Sequence, residues 1–316
     1  MHSALAVEYP HPIHSGTVRK HLEYWVVWLW VKFVGLLPRP LARAKCIALG
    51  LIVYFLHRRL RRVGFRNLEI AFPQVSRREH RRILRGVYVS LGRQLAEFCL
   101  FPHYTRENVT RTVIYDGFEN FERAHALGKG VLFLTAHLGG WELSAFAHSL
   151  QGHPLSVVMR ALDNPLVNRL VEHYRTMHGN RAIDKDDSAR DLLAAMRAGE
   201  VVGILMDTNM TPPQGAFVDF FGTPAYTTTG LARIALRTNA AVVPTFTVWN
   251  TTLRKYTLRF DAAVELIRTG DDQADVVANT ALFTKIIEDY VRRYPDQWLW
   301  VHRRWKTRPE GEKGLY

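Results

Sequence analysis

The chain has 316 residues, 47% of them hydrophobic, which is enough for one large core or two modest ones. Its two cysteines, Cys46 and Cys99, both sit in apolar surroundings. They exclude a disulfide framework and a cysteine-rich metal site, and they fit a reducing compartment. A net charge of +13 asks for an acidic partner: nucleic acid, an anionic membrane or a phosphorylated substrate.

The N-terminal third reads as helical. "YWVVWLWVKFVGLLP" (24–38) carries three tryptophans and one lysine, and "CIALGLIVYFL" (46–56) follows a short basic linker. Neither run reaches the roughly 20 residues that span a bilayer, although the first, extended back to His21, approaches a tilted span. Neither resembles a secretory signal with a small-residue cleavage site. Tryptophan-rich apolar helices flanked by arginines suit the bilayer interface, and a pair of buried core helices is the competing reading. The segments "HRRLRRVGFR" (57–66) and "RREHRRILR" (77–85) carry five arginines each, and "HRRWKTR" (302–308) carries four basic residues. Near an anionic bilayer each cation contributes roughly 1 kcal/mol, so these clusters supply the electrostatic half of an anchor. A solvated basic face is the alternative. The expected organisation is an N-terminal helical membrane-associating region, 1–106, and an α/β region, 107–316, sharing one core.

From 76 to 100 the period is helical: Leu84, Tyr88, Leu91, Leu95 and Phe98 fall on one face, and Ser76 with Glu79 reads as a capping box. After Pro102 strands and helices alternate. "RTVIYDG" (111–117), "GVLFLTA" (130–136), "LSVVM" (155–159), "VVGILMD" (201–207), "AAVVPTFTVW" (240–249) and "KYTLRFDA" (255–262) read as strands. Between them lie helices at "FENFERAHAL", "WELSAFAHSL", after Asn164-Pro165, from Ser188, and over 227–239 with threonines at its start. A closing helix spans 278–293. This grammar predicts an α/β fold, a mixed sheet flanked by helices.

The stretch "TAHLGGWEL" (135–143) carries the chemistry. His137 stands just past a buried strand, where open α/β sheets place ligands. Five positions apart on one straight helix, His137 and Glu142 would point about 140° apart. The turn that Gly139 and Gly140 permit lets the carboxylate meet the imidazole. A histidine so placed can take the proton of an attacking alcohol, and a carboxylate on its other nitrogen fixes the tautomer. No serine or cysteine sits in a recognisable nucleophile elbow, so direct attack by the acceptor is simpler than an acyl-enzyme. A histidine that merely caps a helix fits the bare spacing too. The histidines show no second ligand at useful spacing, so no metal is implied.

More blocks follow the same order along the chain: "RNLEIAFPQVSRREHRRI" (66–83), "HLGGWE", "MRALDNP" (159–165), "FVDFFGTPAYTTTGLARIAL" (217–236), "VVP" (242–244) and "YPDQWLWVHRRWKTRP" (294–309). Together they resemble the bacterial lipid A biosynthesis acyltransferase family, the late lauroyl and myristoyl transferases, over roughly residues 22–309. The resemblance implies an O-acyltransferase at the cytoplasmic face of the inner membrane. It would move a fatty acyl chain from a thioester of acyl-carrier protein, or of coenzyme A, to a hydroxyl of a lipid A precursor, with no cofactor beyond that co-substrate. The family's catalytic pair falls on His137 and Glu142. Its R-x3-N-P segment falls on Arg160, read as a phosphate or pantetheine anchor, and Asn164. Asp207 matches an aspartate before the F-F-G block and would orient Arg160 or the base, or cap a loop. Gly222 of that block is grouped with the substrate-binding positions. Thr208 stands where members commonly carry glutamine, so a side-chain amide role there is unfilled. Phe220 and Phe221 read as core, and Trp298, Trp300 and Trp305 as core or bilayer interface. Two alternatives stand beside this reading: acylation of another glycolipid such as a phosphatidylinositol mannoside, and a non-catalytic protein that binds anionic membranes. Nothing in the sequence carries a nucleic-acid signature.

Overall fold

The computed structural model describes residues 18–185 and 188–316, so residues 1–17 of the expected N-terminal region lie outside the described part. Four long helices come first: α1 (Val18–Gly35), α2 (Arg39–Leu56), α3 (Arg58–Ala71) and α4 (Arg77–Leu100). Pro38 closes the joint before α2, and Ser76 caps α4 by accepting from the Glu79 N–H at 3.3 Å. A single turn, α5 (Arg106–Val109), then leads into the alternating part. Its elements are β1 (Val113–Asp116), α6 (Phe118–His125), β2 (Val131–Thr135), α7 (Trp141–Leu150), β3 (Ser156–Met159), α8 (Pro165–Arg175), β4 (Arg181–Asp184), α9 (Ser188–Arg197) and β5 (Val201–Leu205). The chain ends with β6 (Gly215–Phe220), β7 (Thr223–Thr228), α10 (Gly230–Thr238), β8 (Ala241–Asn250), β9 (Lys255–Phe260) and α11 (Asp272–Arg293).

Seven strands form one mixed sheet in the order β1-β9-β8-β2-β5-β3-β4. Every pair is parallel except β8 with β9, the one pair joined by a hairpin. Strand β2 lies at the centre and is apolar on both faces, as a covered strand must be. Its Leu132 and Leu134 join a cluster with α9, α10 and α11, and its Val131 and Phe133 join another with α7. The N-terminal helices feed both clusters: Leu68, Ile83 and Leu84 enter the first, and Val31, Val34, Cys46 and Phe98 the second.

Two expectations need correction. The threonines at 227–229 do not open the helix. Thr227 and Thr228 complete β7, which pairs antiparallel with β6, and the helix starts at Gly230 with no side-chain cap from Thr229. The hairpin closes through Phe221-Gly222, both at positive φ (58° and 75°), the geometry of a two-residue turn that follows strand twist. The tryptophans Trp298, Trp300 and Trp305 are buried in the first cluster, so their role is packing and not contact with a bilayer.

Among the described residues no single helix is long and apolar enough to cross a membrane; only α2 and α3 together pass such a test, and they are bent by 86°. Helix α1 is nonetheless unusual. Its inner face packs through Val31 and Val34, while Val18, Leu22, Trp25, Val26, Leu29 and Phe33, continued by Leu36 just past its end, form an exposed apolar stripe along the other side. A helix apolar all round is normally covered by protein or lipid.

Candidate active site

The site is built on the corner after β2. Five backbone contacts fix it. The His137 N–H donates to Asp207 Oδ2 at 3.0 Å, the Gly139 N–H to the Gln297 carbonyl at 2.9 Å, and the Gly140 N–H to the Thr247 carbonyl at 2.8 Å. The Leu299 N–H donates to the His137 carbonyl at 3.0 Å, and Leu138 bridges Trp298. The glycines are needed for contact as much as for conformation. Gly139 has φ 61°, and a Cβ there would lie 2.1 Å from the Thr247 carbonyl oxygen; one at Gly140 would lie 2.9 Å from the Tyr256 ring. The C-terminal segment therefore laces onto the turn that carries the histidine.

Asp207, just past the neighbouring strand β5, is almost wholly buried. It takes His137 Nδ1 at 2.8 Å on Oδ1, and the Trp298 indole N–H at 2.7 Å on Oδ2 beside the His137 backbone N–H. An ionised carboxylate only accepts, so Nδ1 carries the proton and Nε2 keeps its lone pair. Burial opposes charge on the ring, but the Asp207 charge and hydrogen bond outweigh it, and the His137 pKa is raised. Burial likewise pushes Asp207 up, and the His137 ring and the Trp298 N–H more than reverse this, leaving it lowered. The His137 side chain keeps 26% exposure and opens on a cavity of about 1070 Å³.

Glu142 does not hold the imidazole, contrary to the expectation from spacing. It lies in the first turn of α7 and makes a two-pronged ion pair with Arg175 of α8: Arg175 Nε donates to Oε2 at 2.8 Å and Nη2 donates to Oε1. The reason is competition. The Nδ1 edge of the ring is occupied by Asp207, and a guanidinium fork suits a carboxylate better than an imidazole edge does. His137, Glu142 and Arg175 all line the cavity.

The other expected residues divide. Arg160 lies on the cavity rim with its side chain 70% exposed, tied to Asp163 at 2.7 Å. Asn164 and Gly222 are not among the lining residues described. Asn164 is buried as the N-cap of α8, accepts from the Leu166 N–H at 3.0 Å, and donates to the Lys20 carbonyl and Glu23, tying α8 to α1. Gly222 shapes the β6–β7 turn, its N–H on Asp219 Oδ1. Three residues went unnoticed as site components: Arg175, Trp298 as the donor to Asp207, and His302. Burial pushes the His302 pKa down to about 4, and its Nε2 accepts from the Asn209 N–H at 3.0 Å on the cavity wall.

The geometry therefore offers one oriented base beside a large cavity with basic residues in its walls. Residues 14–307 match the family described as bacterial lipid A biosynthesis acyltransferase. The chain belongs to that family. It is 29% identical over 307 residues to the lipid A biosynthesis palmitoleoyltransferase of Escherichia coli K12, covering 94% of this chain and 96% of that one. It is also 29% identical over 306 residues to the lauroyltransferase of the same organism, covering 95% and 98%. With the myristoyltransferase it shares 25% over 298 residues, covering 93% and 90%. As a member of the lipid A acyltransferase family the chain is an acyltransferase, and its homologues are named for different acyl chains.

Proposed function

We propose that the protein moves a fatty acyl group from a thioester, carried by acyl-carrier protein or coenzyme A, to a hydroxyl of a lipid A precursor at the cytoplasmic face of the inner membrane. His137 is the general base. The acceptor O–H gives its proton to Nε2 as its oxygen attacks the thioester carbonyl carbon. The tetrahedral intermediate expels the thiolate, which recovers the proton from the imidazolium. An ester and a free thiol result, and nothing else is consumed. Asp207 stabilises the imidazolium without itself taking the proton. General-base help of this kind is worth about 10²–10⁴ in rate.

The observation that carries this reading is the His137–Asp207 pair opening on a large basic cavity. Arg160, Arg175, Lys185, Arg190 and Arg233 line it, with Glu142 as a carboxylate in the same wall. At about 1070 Å³ it has room for a bulky amphiphile, and guanidinium groups suit phosphate oxygens. Membrane residence is supported by the exposed stripe of α1 and by Ile52, Phe55 and Leu56 at the end of α2, followed directly by the exposed Arg58 and Arg59. The reading is tested by mass spectrometry of lipid A from cells with and without the gene. Loss of one secondary acyl chain is expected; identical lipid A in both would sink it.

A further inference from the structure

The site contains two carboxylates, and the geometry gives them separate work. We infer that Glu142 serves the reaction through Arg175, which it holds against the cavity wall, and not through the His137 ring; this rests on the acyl-transfer reading above. Both prongs of Glu142 go to the Arg175 fork, while both edges of Asp207 are taken up by His137 and Trp298. The Glu142 and Arg175 side chains are 16% and 24% exposed, so the pair is largely shielded from competing water. It joins the first turn of α7 to the last turn of α8, two helices that frame the cavity. The Nη1 edge of Arg175 is left outside the fork, with only a distant contact to Met159 Sδ at 3.9 Å among the described residues. That edge is the donor available to a substrate oxygen. Arg175 thus becomes the substrate-facing group and Glu142 its positioning residue.

The electrostatics agree. The charged and titratable groups that face His137 are Asp207 past β5, Glu142 on α7, Arg175 on α8 and His302 of the C-terminal segment. At the imidazole Glu142 and Arg175 act in opposite directions, Glu142 raising the pKa and Arg175 lowering it.

The test is a double-mutant cycle on the full chain with Glu142→Gln, Arg175→Gln and the double variant, each checked by thermal melting. Arg175→Lys serves where Arg175→Gln fails to fold. Kinetics are measured with separately varied acyl thioester and lipid acceptor. Each single change is expected to lower kcat/KM roughly 10- to 100-fold, the loss of a hydrogen bond to a charged group. Both should act on the KM of the same substrate, and the double variant should be no worse than either single. Multiplying losses, or effects on different substrates, would overturn the inference. A second readout needs no turnover: titration of the His137 imidazole by NMR. Glu142→Gln should lower its pKa by leaving Arg175 unopposed, Arg175→Gln should raise it, and the double variant should lie between the two single variants. A double variant as low as Glu142→Gln alone would assign Glu142 to the ring. If wild type transfers no acyl chain, the function fails while the NMR cycle still decides the pairing.

Discussion

Replacing Asp207 by asparagine changes a single heavy atom, yet the structure sets a large cost. The carboxylate receives three donors: the His137 backbone N–H at 3.0 Å, His137 Nδ1 at 2.8 Å and the Trp298 N–H at 2.7 Å. An amide has one acceptor and one donor end. With its oxygen on the ring, its NH₂ faces the backbone and indole N–H groups. Turned over, it donates to Nδ1 and forces the proton to Nε2, which removes the base. The first arrangement leaves buried donors opposed, at about 1–3 kcal/mol each. The second reproduces the tautomer inversion that costs about 10⁴ in kcat in the serine-protease triad. We therefore expect Asp207→Asn to lose about 10³–10⁴ in kcat/KM and to melt lower by several degrees. The assay is transfer from an acyl thioester to a lipid A precursor, followed by mass spectrometry across pH. In wild type the rate should rise with pH through a His137 pKa above the ordinary histidine value, because Asp207 raises it and only the neutral ring is a base. In Asp207→Asn the main opposition to burial is removed, and the acid limb should move to lower pH. A folded Asp207→Asn enzyme with wild-type rate and an unmoved acid limb would refute the reasoning.

Other outcomes follow from the same geometry. Gly139→Ala places a methyl 2.1 Å from the Thr247 carbonyl at a φ of 61°; beyond the clash, the left-handed backbone alone costs about 1–2 kcal/mol, so a wild-type melting temperature would contradict the turn. Buried His148 has no hydrogen-bond partner on either ring nitrogen among the described residues, and burial pushes its pKa down to about 3. The unfolded chain then binds the proton first, so stability falls as pH drops below about 6.5, by about 3 kcal/mol at pH 4.5. His148→Leu should flatten that part of the acid-melting curve; an unchanged curve would refute it. Leu22→Asp with Leu29→Asp on the exposed stripe of α1 should abolish sedimentation with anionic vesicles at unchanged melting temperature, and charge reversal over 58–62 should weaken it. Undiminished sedimentation in both would remove the anchor.

The sequence carried the local features of this fold well. Apolar strands bounded by glycine, the Asn164-Pro165 start of α8 and the Ser76 cap are all set by neighbours a few positions apart. The corner at His137 was legible because two glycines between a strand and a helix have few other uses. The partner of the ring was legible only through the family resemblance, which left Asp207 between Arg160, the base and a loop cap; spacing alone pointed to Glu142. Asp207 lies 70 positions downstream and reaches His137 only because β5 pairs with β2 in the sheet. Arg175 gave no distinct signal, since a basic residue in the last turn of a helix already has a reason to be there. The β6–β7 hairpin was hidden by threonines that suit a cap and a strand equally. The apolar character of α1 on both faces blurs any amphipathic pattern, and only the packing shows which side is left uncovered.

The proton acceptor, His137, is the group on which the proposed transfer depends most directly. The deciding measurement is the transfer rate of purified His137→Gln, with a lipid A precursor and an acyl thioester in mixed micelles and a melting curve as the folding control. A folded variant at least about a hundredfold slower than wild type is the expected result. A folded variant working at the wild-type rate would contradict the account.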